Sequence, residues 1–302
     1  MTVVDQASKL REMFTGDKEN EEENTEAEAQ KSPDRSRIIS VASGKGGVGK
    51  TNIVVNIGLA LQQAGKDVLI LDADMGMANV DVLIGMTSQY NLGHVLKNKC
   101  ELEDALMEGP EGLTVLPGAS GVDQFTNIDM SQVERLLKLS ASIEKNYDFI
   151  LMDIGAGAHQ GVVNFIRAAD EIMITLTPEP TAVMDAYSLL KILSNYEVAS
   201  SLNLVINQVE SETEAENVSK RMKNAIEEYL DMELDTTSYV PYDSVLPKSV
   251  RQQKPVMKLY PNSRSGKAFS RIADKLLQEA SEESSRGMKG FVYRMLGFFK
   301  KD

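Results

Sequence analysis

Apolar residues along this chain form short continuous runs, separated by longer segments in which they recur at helical spacing. The runs do not alternate with polar residues, which is typical of strands buried on both faces. They are Ile38–Ala42, Val68–Leu71, Leu113–Leu116, Phe149–Met152, Ile172–Leu176, Leu202–Ile206 and Ser238–Val240. Helical patterns lie at Thr51–Ala64, Met130–Lys145, Gly161–Ala168, Thr181–Val198, Glu214–Leu230 and Arg264–Glu279. This alternation predicts an α/β fold with a mainly parallel sheet and helices on both faces.

The N-terminal end departs from this pattern. Residues 17–36 contain no Val, Ile, Leu, Met or aromatic residue, and their first half is strongly acidic. Such a segment buries too little apolar surface to offset its ordering entropy, so we predict a disordered linker. Residues 1–16 then form a detached short peptide, for which we expect a partner-binding role. The alternative is an N-terminal segment without function.

The C-terminal end, residues 287–302, is basic in an otherwise acidic chain. Apolar residues recur on one helical face, next to lysines and an arginine. This arrangement predicts an amphipathic helix that lies on an anionic membrane surface. The alternative is a helix that packs on the core. The residues are Met288, Phe291, Val292, Met295, Leu296, Phe298 and Phe299, with Lys289, Arg294, Lys300 and Lys301.

Composition narrows the class of protein. The chain has 302 residues, of which 42% are hydrophobic and 25% charged, and these values are those of an ordinary globular protein. Its net charge of −13 argues against nucleic acid as a general partner. The one cysteine, Cys100, excludes an internal disulfide and a Cys-x-x-Cys metal site. No secretory signal and no membrane-length apolar run are visible, so we expect a cytoplasmic protein.

A glycine-rich stretch lies between the first strand and the first helix. It reads Gly44-Lys45-Gly46-Gly47-Val48-Gly49-Lys50-Thr51. The glycines let consecutive backbone N–H groups point at phosphate oxygens, and the helix N-terminus adds its positive dipole end. Lys50 is placed to reach the β- and γ-phosphates, and Thr51 to ligate Mg²⁺. The order of strand, loop and helix predicts a nucleotide-binding P-loop.

Three aspartates follow strands of the predicted sheet. Asp72 and Asp74 come after Val68–Leu71, and Asp153 ends Phe149–Met152. These positions lie at the carboxyl edge of a parallel sheet, where ligands bind. Carboxylates here, with Thr51, provide the oxygen ligands that Mg²⁺ prefers. Each aspartate taken alone is equally explained as a loop or helix-cap residue.

The ordered motifs resemble those of the MinD/ParA-type ATPases, which have a deviant Walker A loop, over residues 37–282. In that resemblance Lys45 is the signature lysine that reaches the nucleotide of a partner subunit, so an ATP-dependent homodimer is implied. Asp72–Asp81 is similar to switch I and Asp153–Gly157 to switch II. Two departures are Asn52, where Thr is usual, and Ile154-Gly155, which replaces a small polar residue followed by Pro.

The resemblance also implies roles for single residues. It implies slow ATP hydrolysis with Mg²⁺, in which Asp74 orients the attacking water and Lys45 and Lys50 act at the phosphates. The metal residues would be Thr51, Asp72 and Asp153, and the switch residues Asp72, Asp74, Asp153 and Gly157. Asn207, Pro241 and Asp243 would lie against the adenine base.

Within that family, the two ends resemble the FlhG-type (YlxH, FleN) regulators of flagellar number and placement. The N-terminal match consists of Asp5, Gln6, Ala7, Leu10 and Arg11. It implies that the peptide stimulates the GTPase FlhF, with Gln6 as its functional residue. It further implies contact with flagellar switch-complex (C-ring) proteins and reversible, peripheral attachment to the membrane.

Two other classes of function stay open. A ParA-type DNA-positioning ATPase would share the core, although the net charge and the tail argue against it. A nucleotide-gated scaffold with negligible turnover would act through its terminal peptides alone. An iron–sulfur carrier ATPase is the least supported reading, because the cysteine pair is absent.

Overall fold

The computed structural model describes residues 36–74, 79–118, 130–196, 200–279 and 287–299. Its sheet has eight strands in the order β3-β4-β2-β5-β1-β6-β7-β8. All neighbours are parallel except β3 and β4, which are antiparallel. The strands are β1 Arg37–Ala42, β2 Val68–Ala73, β3 Met107–Glu108, β4 Thr114–Pro117, β5 Phe149–Ile154, β6 Glu171–Leu176, β7 Ser201–Val209 and β8 Thr236–Pro241.

Helices cover both faces of this sheet. One core layer lies under α1, α2, α10 and α11, and the other under α3 to α8 and α12. The helices are α1 Lys50–Gln63, α2 Val80–Ile84, α3 Leu92–Leu96, α4 Leu102–Ala105, α5 Met130–Asn146, α6 Gln160–Ala168, α7 Pro180–Leu193, α8 Glu212–Tyr229, α9 Val245–Arg251, α10 Val256–Leu259, α11 Arg264–Glu279 and α12 Gly287–Phe299. The α/β fold class is confirmed.

The continuous apolar runs form central strands because both of their faces are buried. Adjacent residues of β1, Ile38 and Ile39, are each fully buried and belong to opposite core layers. The sequence did not indicate β3 or the short helices α2–α4, α9 and α10, which are too short to establish a period. Among the described residues, none of the helices has the length and apolar character that crossing a bilayer would require.

Strands β2 and β5 extend further than their apolar runs. Asp72 lies inside β2 and Asp153 inside β5, and the two residues are register partners in adjacent strands. A buried strand can end in charged residues when its carboxyl edge faces a polar site. This pairing brings two of the expected site carboxylates side by side.

The C-terminal segment forms a helix that is docked on the core. Helix α12 packs on α5, α6 and β1, and the apolar face expected to meet a membrane is buried in the core. The buried side chains are Met288, Phe291, Val292, Met295 and Leu296, none more than 7% exposed. Residues 35–302 form one compact unit. An amphipathic face is equally suited to a protein groove and to a bilayer, so the docked position agrees with the alternative of a helix packed on the core, and contact with a membrane stays a prediction.

Polar contacts fix the same helix. Arg294 donates through Nε to the carbonyl of Ala168, at 2.7 Å, and lies 3.1 Å from the carboxylate of Asp170. The ring of Phe291 contacts that of Phe165, with centroids 6.2 Å apart, while Lys289 is exposed. Other expected residues lie outside the described part of the chain: Asp5, Gln6, Ala7, Leu10, Arg11, Lys300 and Lys301, and the side chains of Phe298 and Phe299.

Candidate nucleotide-binding site

The glycine-rich loop connects β1 to α1 and lines a cavity of about 370 Å³. Gly49, at the N-cap of α1, has φ +89°, and a Cβ there would lie 2.3 Å from the amide nitrogen of Asn207. Only glycine fits this position. No side chain caps the start of α1. The first N–H groups of this helix are therefore available for an anion. The lining residues are Ser43, Gly46, Gly47, Val48, Gly49, Lys50, Thr51, Asn52, Asp74, Asn79, Val82, Leu83, Ala156 and Val250.

Lys50 points inward, to Asp153. Its ammonium group makes a close ion pair with one carboxylate oxygen of Asp153, and Thr51 Oγ1 donates to the other at 2.7 Å. The side chains of Lys50 and Asp153 are 8% and 0% exposed. The structure therefore brings Lys50, Thr51 and Asp153 together at the start of α1.

Asp72 is held by backbone donors at the adjacent strand end. Its carboxylate accepts hydrogen bonds from the N–H groups of Asp74, Asn79 and Val80, at 3.1–3.3 Å. Burial, and then the neighbouring charge of Asp153, raise the pKa of Asp72 from 3.8 to about 6, against the effect of these bonds. Asp72 thus anchors the start of the expected switch I segment, whose residues 75–78 lie outside the described ranges.

The expected catalytic aspartate lies beside the cavity. Asp74 is half-buried and lines the cavity. A Cβ at Gly155 would come within 3.2 Å of its Oδ1, so the absence of a side chain there leaves room for this carboxylate. Gly157 has φ +105° and donates through its N–H to the carbonyl of Ser43 at 3.0 Å, which ties the expected switch II segment to the P-loop.

Lys45 points outward, to α7. Its Nζ lies 3.0 Å from a carboxylate oxygen of Glu179 and 2.9 Å from the hydroxyl of Thr181. The side chains of Lys45 and Glu179 are 38% and 67% exposed. The loop itself is pressed against α7, since a Cβ at Gly44 would lie 2.1 Å from the carbonyl oxygen of Asp185. The P-loop thus carries one lysine on its buried side and one on its open side.

The three residues expected at the adenine base are engaged within the protein. Asn207 is buried and donates through Nδ2 to the carbonyl of Val48 at 2.7 Å, which braces the P-loop from β7. Asp243 accepts from the N–H and hydroxyl of Ser265, each at 3.0 Å, and these bonds hold its pKa below its ordinary value. Pro241 lines a separate cavity at the edge of the sheet. Their contact with a base stays a prediction.

The residues at the P-loop fit a magnesium ion that arrives with a nucleotide. Thr51, Asp72 and Asp153 provide only oxygen donors, which Mg²⁺ prefers. Within the described residues, however, no group of three His, Cys, Asp or Glu side chains is arranged to hold a metal by itself. Phosphate oxygens would therefore have to complete the coordination, and Lys50 would have to release Asp153.

Several residues at this site were not indicated by the sequence. Glu179 and Thr181 contact Lys45, and Val82, Leu83 and Val250 line the cavity. The segment Thr177-Pro178-Glu179-Pro180 follows β6 directly. The sequence signal for Glu179 was a carboxylate between two prolines at the carboxyl end of a central strand. The apolar lining residues come from α2 and α9, short helices that carry no such signal.

Comparison with known proteins shows similarity over most of the chain. A family model described as an AAA domain matches residues 36–232. The chain is 36% identical to antiactivator FleN of Pseudomonas aeruginosa over 261 residues, which cover 86% of this chain and 93% of FleN. It is 32% identical to flagellum site-determining protein YlxH of Helicobacter pylori, over 87% of this chain and 90% of YlxH.

Among solved structures, the septum site-determining protein MinD of Pyrococcus horikoshii, complexed with Mg-ADP, superposes with a TM-score of 0.64. The two sequences are 27% identical, and the match covers 82% of this chain and 100% of that protein.

Proposed function

Because this chain belongs to the FleN and YlxH group of MinD/ParA-type P-loop ATPases, we propose that it is an ATP-driven switch that controls flagellar number and placement. It is an ATPase that uses ATP with Mg²⁺. FleN and YlxH are named for antiactivation and for flagellum site determination, and the chain covers at least nine-tenths of each. The similarity therefore extends over nearly the whole of both relatives.

The proposed switch rests on the outward position of Lys45. Lys50 lines the cavity and pairs with the buried Asp153, but Lys45 is held on the surface of α7 by Glu179 and Thr181. A lysine in that position can leave its own chain and reach the phosphates of a second subunit. We propose that ATP bridges two subunits through the two Lys45 side chains, and that hydrolysis dissolves the dimer.

The position of Asp74 supports the hydrolysis step of this proposal. It is half-buried, lines the cavity and lies beside Gly155, where a water molecule could be oriented against the γ-phosphate. Asp72 accepts a hydrogen bond from the N–H of Asp74 and so helps to hold its backbone in place.

Sizing chromatography with multi-angle light scattering tests the dimer. With Mg-ATP, Asp74→Ala is expected to remain a dimer, and Lys45→Ala to remain a monomer that still binds ATP. Both variants should be monomers with Mg-ADP. A monomeric Asp74→Ala protein in ATP, or a dimeric Lys45→Ala protein, would refute the proposed bridge.

We propose that α12 binds the membrane after it leaves its groove. Burying five large apolar side chains stabilises the docked position by on the order of 10 kcal/mol, but insertion into a bilayer buries the same face. The exchange is therefore nearly balanced. In a dimer two helices engage one surface, and their affinities compound through effective concentration. Dimerisation is then sufficient to shift α12 from groove to membrane.

Vesicle pelleting tests this step, with anionic vesicles of phosphatidylglycerol and phosphatidylcholine. Truncation before residue 287 would uncover the groove, so Asp170→Asn is the better variant: it weakens the contact with Arg294 and leaves the tail sequence intact. We expect native protein to pellet with ATP and not with ADP, and Asp170→Asn to pellet with both. Equal pelleting of both proteins in both nucleotides would contradict the proposal.

We further propose that residues 1–16 stimulate the FlhF GTPase and that flagellar C-ring proteins are partners. The support is the match of Asp5, Gln6, Ala7, Leu10 and Arg11 to the FlhG-type N-terminal motif. FlhF GTP turnover should rise with native protein and not with Gln6→Ala, while the ATPase rate of the two proteins is the same. An unchanged FlhF rate with native protein would refute this role.

A further inference from the structure

One face of α11 carries four cations, namely Arg264, Lys267, Arg271 and Lys275, spaced by three, four and four residues. This spacing aligns them along one side of the helix over about 16 Å. All four residues are exposed, and together they are the basic stripe. The opposite face of α11 is buried, with Phe269 at 0% and Ile272 at 4% exposure. The core therefore fixes the direction in which the basic stripe points.

Most of these charges have no anionic partner. Within the part of the chain that the structure describes, Arg264, Lys267 and Arg271 make no ion pair. The guanidinium of Arg271 lies over the ring of Tyr239, 5.9 Å from its centroid. Three cations that form no ion pair with another described residue stand out on one face in a chain of net charge −13. Such a local excess of positive charge attracts an anionic ligand.

A cavity of about 220 Å³ opens beside the N-terminal half of the basic stripe. Arg264, Lys267 and Arg271 form one wall, and Ser211 with Glu212 at the start of α8 forms another. The apolar part of the lining includes Tyr239 at the edge strand β8. This edge cavity shares none of the residues that line the nucleotide cavity. Pro241, which the sequence predicts at the adenine base, lies at the end of the edge cavity, and the basic stripe extends away from it along α11.

We propose that the edge cavity and the basic stripe bind an acidic segment of a partner protein. A carboxylate side chain entering the edge cavity would meet two arginines, whose planar groups pair with carboxylates in bidentate fashion, and Lys267. Further acidic residues of the segment would follow the stripe toward Lys275. The apolar lining suits the aliphatic part of an acidic side chain or an adjacent apolar residue.

The surroundings favour a protein segment over a nucleic acid. Glu212 and Glu216 on α8 lie close enough to Tyr239 to raise the pKa of its hydroxyl, and Glu212 accepts a hydrogen bond from it. The positive surface is thus a narrow row bordered by carboxylates, which would repel a continuous phosphate backbone. A peptide can place its carboxylates only where the cations are.

The partner binds through side chains rather than by extending the sheet. Lys275 Nζ donates to the carbonyl of Thr237 at 3.0 Å and contacts Ser238 Oγ at 3.2 Å. A charged lysine that covers backbone acceptors of an edge strand prevents another strand from pairing there. The basic stripe and the side chains of the edge cavity remain as the contact surface.

Fluorescence anisotropy with a labelled peptide in which glutamate alternates with serine tests the proposal on the full chain at low salt. The test variant is Lys267→Glu/Arg271→Glu. The control is Lys97→Glu/Lys99→Glu, which changes the net charge equally at two exposed lysines distant in sequence. We expect native and control proteins to bind the peptide, and the test variant to bind at least tenfold more weakly. Mg-ADP binding should be the same for all three, which shows that the variants are folded.

Three results would overturn the proposal. The native protein could fail to bind the peptide, or the test variant could bind it as well as the control does. The third result concerns a short DNA duplex. If the duplex displaced the peptide, and if its binding were lost in the variant of Lys267 and Arg271, the surface would be a nucleic-acid site. The expected result with the duplex is no competition at equal charge concentration.

Discussion

The two lysines of the P-loop each pair with a carboxylate, in opposite environments. Lys50 and Asp153 are 8% and 0% exposed, whereas Lys45 and Glu179 are 38% and 67% exposed. Coulomb attraction is weakly screened in the first pair and strongly screened in the second. Removing one partner of the inner pair therefore leaves a buried charge unpaired, which is costly. The outer pair can separate at little cost, so Lys45 can change partner. This difference separates a group that organises the site from a group that can move to another subunit.

The inner pair gives the largest expected effect. Asp153→Leu would leave the Lys50 ammonium buried without a partner, and we expect the free energy of unfolding to fall by about 3–5 kcal/mol. The double variant Lys50→Met/Asp153→Leu replaces both charges with apolar groups and should recover most of that loss. Urea unfolding of the three proteins measures it. A double variant as unstable as the single one would show that packing, rather than charge, dominates.

Asp72, beside the inner pair, should make the stability of the protein depend on pH. Its pKa is raised to about 6 from 3.8, so the folded state favours the protonated carboxyl, and stability is lost as pH rises from about 4 through 6. At neutral pH this loss amounts to about 3 kcal/mol. Asp72→Asn does not titrate, so its stability relative to the native protein should rise by up to that amount from pH 4 to pH 7. Urea unfolding at each pH without nucleotide measures the difference.

A pH-independent difference between Asp72→Asn and the native protein would contradict the raised pKa. Glu103→Gln serves as the control, because this carboxylate is exposed. Its stability relative to the native protein should stay constant over the same pH range.

The contact of α12 with the core lies between the two lysine pairs in burial, since Arg294 and Asp170 are 18% and 10% exposed. Arg294→Met removes a charge-assisted bond to Ala168 and the pair with Asp170, and should lower the free energy of unfolding by about 2 kcal/mol. Lys289→Met, at an exposed position of the same helix, should change it by less than about 0.5 kcal/mol. Urea unfolding compares them. Equal effects would mean that the Arg294 contacts do not hold the helix.

The sequence allows the strands and the P-loop to be predicted because their signals are local. The run at Phe149–Met152 is apolar throughout, and the glycine loop stands directly between a strand and a helix. The raised pKa of Asp72 is different in kind. It depends on Asp153 in the neighbouring strand, 81 positions along the chain, and on burial that no local pattern encodes.

The docking of α12 shows the same limit. Arg294 contacts residues about 125 positions away in sequence, and the groove is formed by α5, α6 and β1. The apolar face of Met288, Phe291, Val292 and Met295 could be predicted from its spacing, but not the surface that it covers. The outward direction of Lys45 likewise depends on Glu179, which only the fold brings to the loop.

The outer pair gives the smallest effect on stability and the sharpest test of the comparison. Glu179→Ala removes an exposed contact and should change the free energy of unfolding by less than about 1 kcal/mol. It also leaves Lys45 with only the hydroxyl of Thr181 to hold it on its own chain, so the ATP-dependent dimer of Glu179→Ala should form at lower protein concentration than that of the native protein. Glu210→Ala, at an exposed carboxylate that makes no ion pair within the described residues, is the control. Light scattering over a concentration series measures the midpoint. If Glu179→Ala needed more protein to dimerise, Glu179 would be a contact of the dimer rather than a restraint on the monomer, and the two lysine pairs would differ only in exposure.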